Sequence, residues 1–176
     1  MKITKSKAEI YRISGLQYGG WADITIDEGD KSGRLSISSD WGNWAYGWHS
    51  YGRSFKEFLC GLDIHYTAKK MGQANYFDFD ATIKAWKREV IEAREGWAID
   101  AKEARELYDQ IKVMEFDGTS LEEVKGTLWR EEKLLDFFHS MPTIITDIEP
   151  AFKNFWERIW EPFVKELRKE LQSVAA

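Results

Sequence analysis

The chain has 176 residues, of which 43% are hydrophobic and 15% aromatic, with three prolines and a single cysteine. This length suits one domain with one core, and the composition excludes a disordered chain. One cysteine excludes an intramolecular disulfide, and the absence of any apolar run of signal-peptide or membrane-spanning length predicts a cytosolic protein that binds no membrane.

The net charge of −5 is distributed unevenly along the chain. Residues 1–80 carry ten Lys/Arg and ten Asp/Glu, whereas residues 81–176 carry fifteen against twenty. Proteins that bind nucleic acid gain affinity from contacts of Lys and Arg with phosphates. A chain with an acidic second half is therefore not expected to bind nucleic acid directly.

Four segments near the amino terminus alternate apolar and polar side chains, which is the pattern of strands with one buried face. They are residues 8–14, 21–27, 34–38 and 44–48. The connections at 28–33 and 40–43 contain the glycine, aspartate and asparagine that tight turns need. The pattern predicts an antiparallel sheet of three or four strands within residues 8–49.

Helical periodicity replaces the alternation after Gly52. Ser54 and Glu57 match a capping box, in which each side chain satisfies a backbone amide at the start of a helix. Apolar residues spaced by three and four then follow, so the sequence predicts a helix from 55 to 71.

Similar start signals predict three or four further helices. They are Asp78 with Asp80, Asp100 with Glu103, Ser120 with Glu123, and Asp147 before Pro150. In the last helix, Pro162 is expected to cause a kink or a break, because proline has no backbone amide proton to donate. The predicted fold class is α+β, with an amino-terminal antiparallel sheet of three or four strands packed by a carboxy-terminal set of four or five helices. We expect a single domain over residues 1–176, with a possible subdivision near 72–80.

The stretch SSDWGNWAYGWHSYG has the highest density of aromatic residues in the chain. In a strand, Trp44, Tyr46 and Trp48 share one face. Two interpretations remain open. The face belongs to the core, or part of it stays exposed and stacks a nucleotide or sugar or docks a partner.

Trp41, Tyr51 and Arg53 flank this strand, at the turn before it and at the connection to the next helix. Side chains at such positions can project beyond a sheet, and Trp, Tyr and Arg are enriched among the residues that dominate binding energy. We predict that these three bind a protein partner, with Trp44, Tyr46 and Trp48 as an alternative ligand platform.

The motifs SSDWGNWAYGW, SFKEFL, LDIHYTAKKMG and YFDFDATIKAWKREV resemble small proteins of bacteriophages and prophages, in which SSD, an aromatic residue and Gly lead to an aromatic strand and then to FKEFL. The resemblance covers roughly residues 34–95, with a looser match at TDIEPAFKNFWERIWEPF. It carries no catalytic residues to transfer. It implies an accessory factor, in the cytoplasm of the bacterial host, that binds and inhibits a host protein such as a subunit of a CRISPR or other defence complex.

No constellation of residues in the sequence predicts catalysis. The three histidines and the cysteine lack zinc-ligand spacing, and no glycine-rich phosphate loop occurs. Cys60 and His65 are five residues apart in the predicted helix and face different sides, which argues against a nucleophile and its base. Asp78 and Asp80 are interpreted as a helix cap in preference to a magnesium site. We expect no enzyme activity, no metal and no cofactor.

A row of carboxylates recurs at helical spacing on two consecutive predicted helices, at Glu89, Glu92, Glu95, Glu103, Glu106 and Asp109. Basic residues interleave with them, which favours an ordinary solvated surface over imitation of a DNA backbone. Binding through imitated phosphates weakens steeply as ionic strength rises, whereas aromatic docking does not.

Overall fold

The computed structural model describes residues 1, 3, 5–16, 19–30, 32–52, 54–114 and 121–175, without side chains at 174 and 175. The chain divides into two compact units. Unit 1 comprises Met1–Gln73 and Ile148–Ala176, and unit 2 comprises Ala74–Asp147. The first boundary falls in the stretch 72–80, where the sequence suggests a subdivision.

The described strands are β1 Glu9–Ile13, β2 Ala22–Glu28, β3 Gly33–Ser39, β4 Gly42–Trp48, β5 Tyr76–Phe77 and β6 Thr146–Asp147. The described helices are α1 Phe55–Cys60, α2 Ile64–Lys70, α3 Phe79–Glu95, α4 Ala101–Lys112, α5 Leu121–Leu128, α6 Glu132–Phe138, α7 Pro150–Phe155 and α8 Glu161–Ala175. A π-helical segment, Trp156–Trp160, joins α7 to α8. The amino-terminal four-stranded antiparallel sheet, followed by several helices, confirms the predicted α+β class. Among the described helices, none has the length and apolar character needed to span a membrane.

The sheet of unit 1 is an antiparallel meander in the order β1-β2-β3-β4. Its register places Ile24 opposite Ile37 and Leu35 opposite Tyr46. Ile24 and Leu35 are fully buried, as expected when alternate residues of each strand face the core. β5 and β6 form a separate two-residue antiparallel ribbon in unit 2, which the sequence pattern does not predict.

The helix predicted from 55 to 71 is two helices, α1 and α2. The Ser54 hydroxyl accepts a hydrogen bond from the amide of Glu57 at 3.3 Å, as the capping-box pattern predicts. The chain then turns at Gly61, and the Asp63 carboxylate accepts a backbone amide hydrogen bond at 2.9 Å. The single-helix prediction is wrong because this second cap begins a new helix within the apolar pattern.

Pro162 does not break the carboxy-terminal helix, which continues from the π-helical segment through α8. Immediately before the proline, the amide of Glu161 donates to the carbonyl of Trp156, five residues back. A proline ring crowds the carbonyl four residues earlier and cannot bond to it. The wider π-helical turn accommodates Pro162, so the expected break is replaced by a local change of helix type.

Unit 2 has its own core, centred on Trp86, which is fully buried. The indole N–H of Trp86 donates to the carbonyl of Thr143 at 2.7 Å. Asp78 caps α3 and Asp100 caps α4, each accepting backbone amides through its carboxylate at 2.8–2.9 Å, as predicted. The predicted cap at Ser120 lies outside the described residues.

Gly33 offers a test of the packing of unit 1. A Cβ atom at this position would overlap the ring of Phe55, which is fully buried. We expect Gly33→Ala to lower the free energy of unfolding by about 2 kcal/mol, a typical effect of overpacking, as measured by urea denaturation. Gly47→Ala is the control, because the nearest atom to its added Cβ would be 3.9 Å away. Equal effects of the two substitutions would contradict this packing.

Candidate functional site

The aromatic face of β4 belongs to the core of unit 1. Trp44 and Trp48 are 8% and 5% exposed, and Tyr46 is half-buried. Trp44 packs edge-on against Phe152 with 4.9 Å between ring centroids, and the indole N–H of Trp48 donates to the hydroxyl of Tyr66 at 3.0 Å. The alternative prediction of a ligand platform at Trp44, Tyr46 and Trp48 is therefore corrected, because helices of unit 1 cover this face.

Of the three predicted partner-binding residues, the structure describes Trp41 and Tyr51. Trp41 is half-buried against Gly20, and Tyr51 is half-buried with its hydroxyl donating to the carbonyl of Gly29 at 2.7 Å. These two residues lie at opposite ends of β4, a strand whose seven residues span about 20 Å. Arg53 lies outside the described residues. Partner binding through these positions stays a prediction.

The residues considered for catalysis or metal binding lie in different helices or already cap a helix. Cys60 lies in α1 and His65 in α2, and burial raises the pKa of the Cys60 thiol, which disfavours the reactive thiolate. The carboxylate of Asp78 serves the α3 cap. Within the described ranges, no group of three or more His, Cys, Asp or Glu is placed to hold a metal ion.

An ionic cluster around Lys56 ties β1 to α1 and α8. The Lys56 ammonium donates to the carboxylates of Glu9 and Glu170 at 2.6 Å, and the Tyr11 hydroxyl donates to Glu170 at 3.1 Å. Burial disfavours the charged lysine, but its hydrogen bonds to Glu170 and Glu9 outweigh burial and raise the pKa of Lys56. Burial also raises the pKa of Tyr11 to about 12. Lys56 stays protonated at neutral pH, so the cluster acts as a structural tie and provides no nucleophile.

Unit 2 contains a groove of about 770 Å³ between the α3–α4 hairpin and α6. Its lining includes five exposed carboxylates, Glu89 and Glu92 of α3, Glu103 and Glu106 of α4, and Asp136 of α6. We call it the acidic groove. Unit 2 carries ten Lys/Arg against seventeen Asp/Glu, a net −7, whereas unit 1 carries fifteen against thirteen. The negative charge of the protein is therefore concentrated in the unit that contains the groove.

The floor of the acidic groove is apolar. It includes the half-buried side chains of Ile99, Phe137 and Phe138 and the buried Leu107. The Phe137 and Phe138 rings meet edge to face at 4.8 Å, and Phe138 lies 6.1 Å from the buried ring of Trp86. The floor is thus part of the packed core of unit 2, while the carboxylates above it are solvated.

Two of the groove carboxylates are paired with cations. Glu106 lies 3.3 Å from Lys133 and 4.0 Å from Lys102, and Glu92 lies 3.7 Å from Arg88. These side chains are largely exposed, so each pair contributes at most about 1 kcal/mol.

The other three carboxylates, Glu89, Glu103 and Asp136, have no cationic side chain within 4.0 Å among the described residues. All three line the same groove and are exposed to solvent. A positive charge that enters the groove therefore meets carboxylates that are not already neutralised.

Trp97 is the most exposed aromatic side chain in the described part of the chain, at 83%. It follows Gly96, the residue that caps the end of α3, and has φ of 61°. Its amide donates to the Arg94 carbonyl at 3.2 Å and that of Ala98 to the Ala93 carbonyl at 2.9 Å, the bonding pattern of a Schellman cap. Glycine usually occupies this left-handed position, because it costs other residues about 1–2 kcal/mol. Gly96 precedes it by one residue and has φ of −79°.

The sequence pattern picked out several carboxylates of the acidic groove but did not predict that they line a groove. Four of the six carboxylates in the predicted acidic row line the groove, whereas Glu95 and Asp109 do not. The interpretation as a solvated surface overlooked that α3 and α4 pack as an antiparallel hairpin beside α6. Trp97 was missed, although a tryptophan directly after Gly96 at a helix end was a visible signal.

Comparison with known proteins supplies the family. A model described as a phage family matches residues 1–170, almost the whole chain. The chain belongs to this phage family. The match extends the resemblance seen over residues 34–95 and does not test the individual motifs. No curated protein and no solved structure shows a significant match.

Lys56→Met should destabilise unit 1 by about 1 kcal/mol at neutral pH, because it removes the shared donor of two carboxylates that are 59% and 41% exposed. Hydrogen bonding to Lys56 lowers the pKa of Glu9 below its usual 4.5. Ionised Glu9 therefore stabilises the fold above pH 4.5, and this contribution is lost as pH falls through the lowered value. Thermal unfolding should show the gap between wild type and variant narrowing from pH 6 to pH 3. A gap that is constant with pH would contradict the role of Glu9.

Proposed function

We propose that this phage-family protein binds a host protein stoichiometrically, without catalysis, and thereby inhibits it. A subunit of a CRISPR or other defence complex is the proposed target. The observation that carries the proposal is Trp97, which combines 83% exposure with a left-handed backbone. Both properties are unfavourable in the isolated protein.

At its cap position, Trp97 is less favourable than glycine, the residue that usually occupies such a position. Glycine would remove the backbone cost of about 1–2 kcal/mol and the exposed apolar surface together. The partial compensation within the chain is a cation–π contact with Arg94, whose guanidinium lies 5.0 Å from the ring centroid. Such exposed contacts contribute about 0.5–1 kcal/mol. A tryptophan kept under these conditions is explained by burial against a partner, where Trp frequently dominates binding energy.

The two rival surfaces have less support. Trp41 and Tyr51, in unit 1, are half-buried and make internal contacts. A small-molecule platform on β4 lacks an open aromatic face, because Trp44 and Trp48 are buried. Trp97 thus combines the exposure and the lack of packing that a docking residue in the free protein should show.

Trp97→Gly should separate binding from stability. We expect unfolding free energy to stay unchanged or rise by up to about 1 kcal/mol, because glycine suits the left-handed cap. Recovery of the host protein by the tagged variant from bacterial lysate, quantified by mass spectrometry, should fall about tenfold or more.

Trp21→Ala is the matched control, since it removes a 45% exposed indole from unit 1 and should leave recovery unchanged. Trp41→Ala tests the rival surface. Loss of the partner with Trp41→Ala, but not with Trp97→Gly, would move the contact to unit 1. If no stoichiometric host protein is recovered from several hosts, the proposed function has no support.

A further inference from the structure

We infer that the acidic groove is the docking site for a cationic amphipathic helix, a segment with one apolar stripe flanked by Lys and Arg. This inference rests on the proposed function in one respect: it takes the physiological ligand of the groove to be a segment of a protein partner. Its chemistry can be tested with defined peptides, without knowledge of that partner.

The charge of the groove selects a cationic ligand. Glu89, Glu103 and Asp136 face the cavity without a cationic partner among the described residues, and unit 2 as a whole carries −7. Opposite charges attract the ligand during encounter and raise the association rate.

The apolar floor selects an amphipathic ligand over a purely charged one. Ile99, Phe137 and Phe138 are half-buried, so an apolar side chain placed on them removes further surface from water. Each well-buried leucine contributes about 1.5–3 kcal/mol. A polyvalent cation without apolar groups would leave this floor exposed to water.

The spacing of the carboxylates favours a helix as the ligand. Glu89 and Glu92 are three residues apart on α3, and Glu103 and Glu106 are three residues apart on α4. Each pair therefore projects from one face of its own helix over about one turn. A docked helix presents Lys and Arg at the same spacing on both flanks of its apolar stripe, which is the helix-in-groove mode of recognition.

Two exposed tryptophans are adjacent to residues that line the groove. Trp97 directly precedes the groove residues Ala98 and Ile99. Trp129 is 68% exposed and lines a smaller depression that shares Asp136 with the groove. A partner docked in the groove therefore has exposed aromatic surface close to it at Trp129.

The shape of the site distinguishes it from a DNA mimic. A mimic presents carboxylates on a surface that a DNA-binding protein can enclose, whereas these carboxylates line a cavity with an aromatic floor. Charge alone would drive a mimic's binding. Docking in the groove requires both charge and apolar contact, so the two modes predict different ligand preferences.

The experiment uses fluorescence anisotropy with a labelled peptide of about 14 residues, in which leucines and lysines recur at helical spacing. A second peptide replaces the lysines with glutamates, and a third replaces the leucines with serines. We expect the first peptide to bind the full chain, and each altered peptide to bind about tenfold more weakly or less.

A matched pair of double variants tests the location. Glu89→Lys with Glu103→Lys reverses two groove charges and should weaken binding of the first peptide about tenfold. Glu95→Lys with Asp109→Lys makes the same change of net charge on the same two helices outside the groove lining, and should change affinity less than about threefold. Circular dichroism on heating checks that both double variants stay folded.

Equal weakening by the two double variants would show attraction by net charge alone and would overturn the groove assignment. Undiminished binding of the serine peptide would overturn the role of the apolar floor. If the peptide pattern is as expected but no host protein is captured from lysates, the groove stands and the proposed host-binding function fails. If a host protein is captured but the peptides do not bind in the expected pattern, the inference about the groove fails and the host protein binds elsewhere on the protein.

Discussion

Packing of β4 against α7 holds unit 1 together across most of the chain. The Trp44 ring lies 4.9 Å from Phe152 and 5.1 Å from Phe155, residues more than 100 positions later in the sequence. Such a contact requires the intervening chain to leave unit 1 and return to it. The amide of Glu149 donates to the carbonyl of Gln73 at 2.8 Å, which joins the outgoing and returning segments. Unit 2 is therefore an insertion that must supply its own core, and it does so around Trp86.

This long-range contact also explains how much of the fold the sequence could predict. Alternation identified the four-stranded sheet, and Ser54, Asp78 and Asp100 marked helix starts, because these signals act within a few residues. The sequence suggested the subdivision near 72–80, but it showed neither the return of the chain to unit 1 at Ile148 nor the break at Asp63. The pattern of β4 left a core face and an exposed platform both open, since the choice depends on α7, which no local pattern places beside it.

The sequence could predict which carboxylates of the candidate site are exposed, but not how these residues come together. The sequence shows that Glu89 and Glu103 lie on exposed helix faces, but their approach to Asp136 depends on how α6 packs beside the hairpin. Similarly, Gly96 suggests the end of α3 without showing which residue takes the left-handed position. That position is set one residue later by the hydrogen bonds of the cap, and Trp97 occupies it.

The two units differ in their charge and in how their charged side chains are paired. Unit 1 has fifteen Lys/Arg against thirteen Asp/Glu and uses an ionic cluster at Lys56 to join a strand to two helices. In the described part of unit 2, three exposed carboxylates without an ion pair line a groove with an apolar floor. A cationic ligand that binds the folded groove more tightly than the unfolded chain stabilises unit 2. The carboxylates of the groove thus supply the charge opposite to that of the cationic helix that we infer as its ligand.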